Sequence, residues 1–433
     1  MTLLIISPDY ASHLLPLATL GTAWRDRGER VVVATGAATA AIVESFGFER
    51  VDLALGKGSN PGVIRATDQP PGEDAALTGF FEATRRGMVE TLAYQAEARL
   101  SDLMWEPVRM AREVQRVVDG VAPDAVVVDH LAFSARLALV AAQVPHADVV
   151  LGHPTALPVG DEVYGFPPAW PTAFDPGSAE LAALRELCVR VSDSFTAEWN
   201  AALAQLAPGH LHSRDAFGEH GDLLLLNYPE QLCSPARSAL LGPHEFLGSM
   251  VRTEPDDPRV SAWLEESDTP VVYVSFGSFL SVRSDVLARI ATALATLPVR
   301  VALALGSADP ADIGTVPPEW LVQETLPQVA ILARSHAAVT HGGNNSVTEA
   351  MTFGVPLLVL PFSTDQFAGA AAIEDAGVGI ALAPNEATVA ELRSALEQLL
   401  VSQNRATLDE MRRHLQVHPG ATRAHAAITA RLG

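Results

Sequence analysis

A chain of 433 residues holds two large domains or three small ones, at about 100–200 residues per domain. Hydrophobic residues make up 48% of it, enough for a sizeable core in each domain, and the formal net charge is -22. That charge repels phosphate backbones and anionic lipid, which argues against nucleic-acid and membrane partners but not against a small anion held in a locally positive site.

The two cysteines, Cys188 and Cys233, form neither a disulfide framework nor a metal cage. The N-terminus MTLLIISPDYASH has no basic leader and no long apolar run. No stretch approaches the ~20 apolar residues that span a bilayer. These features predict a soluble, cytoplasmic protein without stable membrane insertion.

Short apolar runs alternate with longer helical patterns, the signature of an α/β protein with parallel sheets. In the first half, strands are predicted at Leu3–Ser7, Val31–Thr35, Asp124–Asp129, Asp148–Leu151 and Asp222–Asn227. In the second half they are predicted at Val271–Phe276, Val299–Leu305, Ala337–His341, Leu357–Leu360 and Gly379–Leu382. The expected organisation is an N-terminal domain over 1–228, a Pro-rich linker over 229–258, a C-terminal domain over 259–415, and a last helix over 416–433 that packs back on the first domain. Two doubly wound, Rossmann-like domains of this kind face each other across a ligand cleft. Residues 153–177 are rich in proline and aromatics and too long for an ordinary connection, so they read as a functional or a disordered loop.

Along the first domain, His13 follows the first predicted strand and Asp129 ends the one predicted at Asp124–Asp129. In the usual 3-2-1-4-5 winding those strands are neighbours, so both residues open onto one crevice. A histidine oriented by a carboxylate is a general base near neutral pH. His130 is a competitor for the partner role, but neighbours on a strand point to opposite faces. A lone histidine at that place would otherwise read as a solvated or capping residue.

The densest constellation lies in the second domain, at HGGNNSVTEAMTFGVPLLVLPFSTDQ, His341 to Gln366. A buried-type strand ends in Gly342-Gly343-Asn344-Asn345, and Ser346 with Glu349 three residues on has capping-box spacing, so a helix is expected to begin there. Free amides at a helix start favour an anion, and glycines let a phosphate approach the backbone. His341 adds a donor, while Glu349, Asp365 and Gln366 can accept from sugar hydroxyls. Singly, each has a structural reading as cap or turn. Together at one sheet edge, they point to phosphate-plus-sugar binding.

This segment resembles the donor signature of the UDP-glycosyltransferase superfamily, H-x-G-x-N-S-x-x-E, then G-V-P, then P-x-x-x-D-Q. The matching residues are His341, Gly343, Asn345, Ser346, Glu349, Gly354-Val355-Pro356, Pro361 and Asp365-Gln366. VVYVSFGS, ending at Ser278, is similar to the strand and loop that open the family's donor domain, and Ser12-His13-x-x-Pro16 is similar to its Gly-His-x-x-Pro.

The resemblance implies a GT-B fold, with two Rossmann-like domains facing across a cleft. His341, Gly343, Asn345 and Ser346 would lie on the diphosphate, Glu349 on the ribose, Asp365 and Gln366 on the transferred sugar, and Gln328 and Ser278 beside the donor. His13 would be the base and Asp129 its partner. The family often has Trp-x-Pro-Gln before the signature, with the indole on the uracil; here the tetrad is Thr325-Leu326-Pro327-Gln328, so the donor reads as UDP- or dTDP-linked without a choice between them.

The implied activity is an inverting transfer of sugar to a small, hydroxylated, apolar natural-product acceptor. No cofactor is expected beyond the nucleotide-sugar, and no metal, since no Asp-x-Asp triplet occurs in the chain. The acceptor site would be built from loops carrying Phe80, Phe81, Tyr164, Phe166, Trp170 and Phe174, each of which has core or interdomain packing as its alternative. A nucleotide-sugar epimerase and an inactive nucleotide-sugar-binding helper are the rival readings. Homodimerisation is left open.

Overall fold

The computed structural model describes residues 1–62, 73–101, 104–401 and 405–432, apart from a few side chains that include that of Ser278. Among the described residues, thirteen strands form two parallel sheets. The first contains β1 (Thr2–Ile6), β2 (Arg30–Thr35), β3 (Glu49–Asp52), β4 (Ala125–Asp129), β5 (Ala147–Val150), β6 (Leu223–Leu226) and β7 (His244–Phe246) in the order β3-β2-β1-β4-β5-β6-β7. The second contains β8 (Val271–Ser275), β9 (Arg300–Ala304), β10 (Leu321–Gln323), β11 (Ala337–Thr340), β12 (Leu357–Val359) and β13 (Gly379–Ala381) in the order β10-β9-β8-β11-β12-β13.

Period-two alternation explains why the strand sequences are almost wholly apolar. On β1, Leu3 and Ile5 face one core and Leu4 and Ile6 the other, all fully buried. In the second sheet Val272 and Val274 face one side, and Val271 and Tyr273 the other. Helices cover both faces of each sheet, as parallel strands require.

Each of the ten predicted strands is present, within a residue or two at each end. Three strands have no counterpart in the prediction: β3, β7 and β10, which all lie at sheet edges. β3 reads Glu-Arg-Val-Asp with little burial, so it carries no apolar run to recognise. β7 falls inside the expected linker 229–258 and corrects that expectation: His244–Phe246 extends the first sheet by pairing with β6. Pairing with an existing strand is enough to order three residues that lack a strand pattern of their own.

The segment 153–177 is ordered. Arg237 clamps it through the Glu162 carboxylate at 2.8 Å and through the Leu157 and Pro154 carbonyls at 2.6 and 3.0 Å. Trp170 and Phe174 from this segment pack on Phe367 of the second domain. Phe80 and Phe81 likewise pack across the cleft, on Phe279. These four aromatics therefore join domains.

The last helix, Gly420–Leu432, lies against the helix Ala11–Arg25. His425 packs against Trp24 with the ring centroids 4.6 Å apart, Arg423 pairs with Glu245, and Ala424 and Ile428 are fully buried in the first domain's core. No helix among the described residues is long and apolar enough to cross a membrane. Ile428→Ala is expected to destabilise the protein by about 2–5 kcal/mol, the usual cost of an aliphatic-to-alanine cavity, measured by urea unfolding.

Candidate active site

Both sheets turn their carboxyl-terminal edges toward one cavity of about 490 Å³ between them. β1 and β4 are hydrogen-bonded neighbours, with Ile6 opposite Val128. That register brings the helix after β1 and the last residue of β4 to the same edge. His13 Nδ1 lies 2.7 Å from Asp129 Oδ2, with the carboxylate buried and the imidazole partly exposed to the cavity. The second Asp129 oxygen accepts the Leu131 amide at 2.8 Å, which fixes the carboxylate.

Burial opposes protonation of His13, but Asp129 more than offsets it by charge and hydrogen bond, and Asp365 adds to this, so the His13 pKa is raised above its ordinary value. His130, the competitor, faces away: it lies buried beside Arg136 and Asp148, and burial and the Arg136 charge hold its pKa well below the usual range.

Across the cavity, β11 leads through Gly342 and Gly343 into the helix Asn344–Phe353. Gly342 has φ +87, and a Cβ there would sit 2.9 Å from a Val359 methyl, so only glycine fits. A Cβ on Gly343 would collide with the His341 imidazole. The first intrahelical bond runs from Val347 to Gly343, so the amides of Asn344, Asn345 and Ser346 have no helical acceptor. Gly343, Asn344, Asn345, Ser346 and His341 all line the cavity. Burial lowers the His341 pKa to about 4, with the Ser275 backbone opposing, so at neutral pH it is an uncharged donor.

The capping-box expectation is corrected here. The helix begins two residues before Ser346, capped by Gly343 without a side-chain bond. Glu349 is drawn elsewhere: it accepts from Arg252 and from Gln328, each at 2.6 Å, while Ser346 Oγ lies 3.4 Å from Gln328 Oε1. A buried carboxylate gains more from a guanidinium than from a backbone amide. Even so, burial raises the Glu349 pKa, and Arg252 and Gln328 pull it back only in part.

The remaining predicted residues divide. Asp365 lines the cavity and accepts the His153 amide of the first domain at 2.5 Å; burial raises its pKa against the pull of that bond, Thr364 and His13. Gln366 does not line the cavity: its oxygen accepts from Phe362 and Ser363 at 3.0 and 3.2 Å, closing the turn after β12. Ser278 is in the short helix Gly277–Leu280, its side chain outside the described part of the structure. Trp320, five residues before Thr325, is buried in the second domain's core.

Several contacts were not legible beforehand. Pro16 lies inside the helix Ala11–Arg25 and offers no N–H to the Ser12 carbonyl four residues back. That carbonyl accepts instead from Asn345 Nδ2 across the cleft at 2.9 Å. Asn344 Nδ2 donates to the Leu151 and Asn227 carbonyls at 2.7 and 2.8 Å. The proline in the sequence was the signal, since it always frees one carbonyl, but nothing local says which donor takes it. Arg252, in the expected linker, carried no signal at all.

Residues 227–419 match the sequence family described as UDP-glucoronosyl and UDP-glucosyl transferase. The NDP-glycosyltransferase YjiC of Bacillus subtilis is 27% identical over 172 residues, 39% of this chain and 44% of that protein. A PGL/p-HBAD biosynthesis rhamnosyltransferase of Mycobacterium bovis is 31% identical over 159 residues, 36% of this chain and 34% of that protein. The match thus spans less than half the length of these curated relatives. Among solved structures, the glycotransferase of kitacinnamycin superposes with a TM-score of 0.70 at 21% identity, covering 100% of this chain and 99% of that one. VinC, solved in complex with dTDP, superposes with a TM-score of 0.67 at 18% identity over 100% and 99%. These likenesses establish the fold.

Gly343→Ala is expected to displace the His341 ring and to weaken UDP or dTDP binding by roughly tenfold or more, about as much as His341→Ala, the loss expected for a missing hydrogen bond in a dry site. Isothermal titration, with circular dichroism to confirm folding, checks this.

Proposed function

We propose, for a chain whose residues 227–419 match the family described as UDP-glucoronosyl and UDP-glucosyl transferase and whose two facing sheets have the GT-B fold, that it is an inverting glycosyltransferase acting on a small hydroxylated acceptor. The observation that carries the reading is the His13–Asp129 pair, 2.7 Å apart, opening on the same cavity as the start of the helix Asn344–Phe353. A base and an anion site face each other there from separate domains.

In this reading the acceptor hydroxyl gives its proton to the free nitrogen of His13, while Asp129 holds the ring and stabilises the imidazolium. The acceptor oxygen bonds to the anomeric carbon as the bond to the nucleoside diphosphate breaks on the opposite face, so configuration inverts. Charge growing on the leaving phosphate meets the free amides of Asn344, Asn345 and Ser346, the helix dipole and the His341 donor. A metal is not required for that stabilisation. Asp365 at the cavity wall is placed to accept from hydroxyls of the sugar.

The donor is proposed to be UDP- or dTDP-linked. The family match supports the first, and fold relatives such as VinC, solved in complex with dTDP, support the second. On the acceptor side Leu92, Tyr164, Phe166, Val191 and Phe279 give the cavity an apolar wall, which suits an apolar aglycone.

His13→Ala is expected to lower kcat by about 10²–10⁴-fold while leaving the nucleotide Kd within about twofold. Only the neutral imidazole accepts a proton, and Asp129 raises its pKa against the effect of burial, so kcat/KM should rise with pH through a limb displaced upward from that of an ordinary histidine. Asp129→Asn should move the limb to lower pH and depress the plateau. Pre-treatment with EDTA should leave the rate unchanged. Transfer to a panel of phenolic and polyketide aglycones, followed by mass, checks the rates, and isothermal titration the Kd; sugar conversion without any acceptor would replace this reading with an epimerase.

A further inference from the structure

A second cavity, of about 620 Å³, opens between the domains, and Arg252 at its wall is bonded to Glu349. Leu15 and Phe46 line it from the first domain, and Arg252, Thr325, Leu326 and Pro327 from the second. Glu254, Asp256 and Asp257 also stand at its wall, so three carboxylates face one guanidinium. Such a mouth repels a diphosphate and suits an uncharged group. In the donor orientation set by His341 and Glu349, that group is the nucleobase.

Arg252 is held unusually firmly for a residue between domains. Its Nη1 donates to Glu349 at 2.6 Å and its Nη2 to Glu254 at 2.7 Å. Glu254 is itself anchored by the amides of Val329 and Ala330, at 2.8 and 3.3 Å. Each carboxylate takes a different terminal nitrogen of the guanidinium, and among the described residues no aromatic ring makes a cation–π contact with it. A planar cation fixed by its edges keeps its faces for stacking, which a lysine cannot reproduce. Thr325, at the wall of this cavity, has no ring to offer.

We propose that Arg252 is the stacking platform for the pyrimidine base of the donor, a specificity-determining residue that the Glu349 and Glu254 carboxylates hold edge-on at the wall of this second cavity. The proposal rests on the donor-site reading above and goes beyond it by naming what replaces an aromatic at the base. Glu349 then serves two neighbouring subsites, since the carboxylate placed for the ribose also fixes the plane beneath the base.

The test compares UDP with its abasic counterpart, ribose 5-diphosphate, by isothermal titration. Both ligands carry the ribose and the diphosphate, so disturbing Glu349 alone changes both affinities alike and leaves their ratio untouched. In the wild type UDP is expected to bind at least roughly tenfold tighter, as base stacking supplies. Arg252→Lys should bring that ratio to within about threefold of unity, and Phe46→Leu, with Arg252 intact, should preserve it. Thr325→Trp in the Arg252→Lys background should restore it.

An unchanged ratio in Arg252→Lys overturns the proposal. A ratio that collapses in Phe46→Leu overturns it as well, even where Arg252→Lys does not fold, because the platform would then be the phenylalanine. Equal binding of both ligands by the wild type removes any base platform while sparing the phosphate site. Binding of neither overturns the donor reading itself.

Discussion

The active cleft depends on a small set of hydrogen bonds that cross it from one sheet edge to the other. Asn344 spans to the Leu151 and Asn227 carbonyls, Asn345 to the Ser12 carbonyl, and Asp365 to the His153 amide. Each acceptor or donor on the first domain lies at or just beyond the carboxyl end of a strand, or in the first turn of the helix that follows one. In a parallel sheet that edge is where backbone groups run out of strand partners. Bonds of this kind are worth about 0.5–1.5 kcal/mol each. A handful of them positions two domains, yet each can be exchanged for an equivalent bond to a ligand.

The Ser12–Asn345 bond shows how the motif around His13 works as a unit. Pro16 withdraws one N–H from the helix, the Ser12 carbonyl is left over, and the freed acceptor ties the turn that bears His13 to the loop that starts the opposite helix. His13 sits one residue beyond that carbonyl. The distance between His13 and the start of that helix is therefore set partly by a missing hydrogen bond.

Charge is distributed to the same end. The protein carries a net -22, yet the group facing the free amides of the helix Asn344–Phe353 is a neutral histidine, and the nearby carboxylate of Asp365 is accommodated through His13 and a first-domain amide. The start of that helix itself offers dipoles rather than lysines or arginines. Arg252, bound by two carboxylates, lines a different cavity from His341.

The sequence by itself determined the two parallel sheets, because strands buried on both faces must be continuous apolar runs. It also determined the glycine loop after β11 and the meeting of His13 with Asp129, since the usual winding makes β1 and β4 neighbours. The tertiary structure decided what had no local imprint. β3, β7 and β10 exist because an adjacent strand offers them a ladder. Ser346 and Glu349 have the spacing of a cap, but a linker arginine 97 residues away claims the carboxylate. Gln366 turns inward to satisfy two backbone amides of its own turn, although its place in the motif suggested the cavity. Local rules weigh neighbours in the chain, whereas a buried charge is settled by whichever partner folding brings within hydrogen-bond reach.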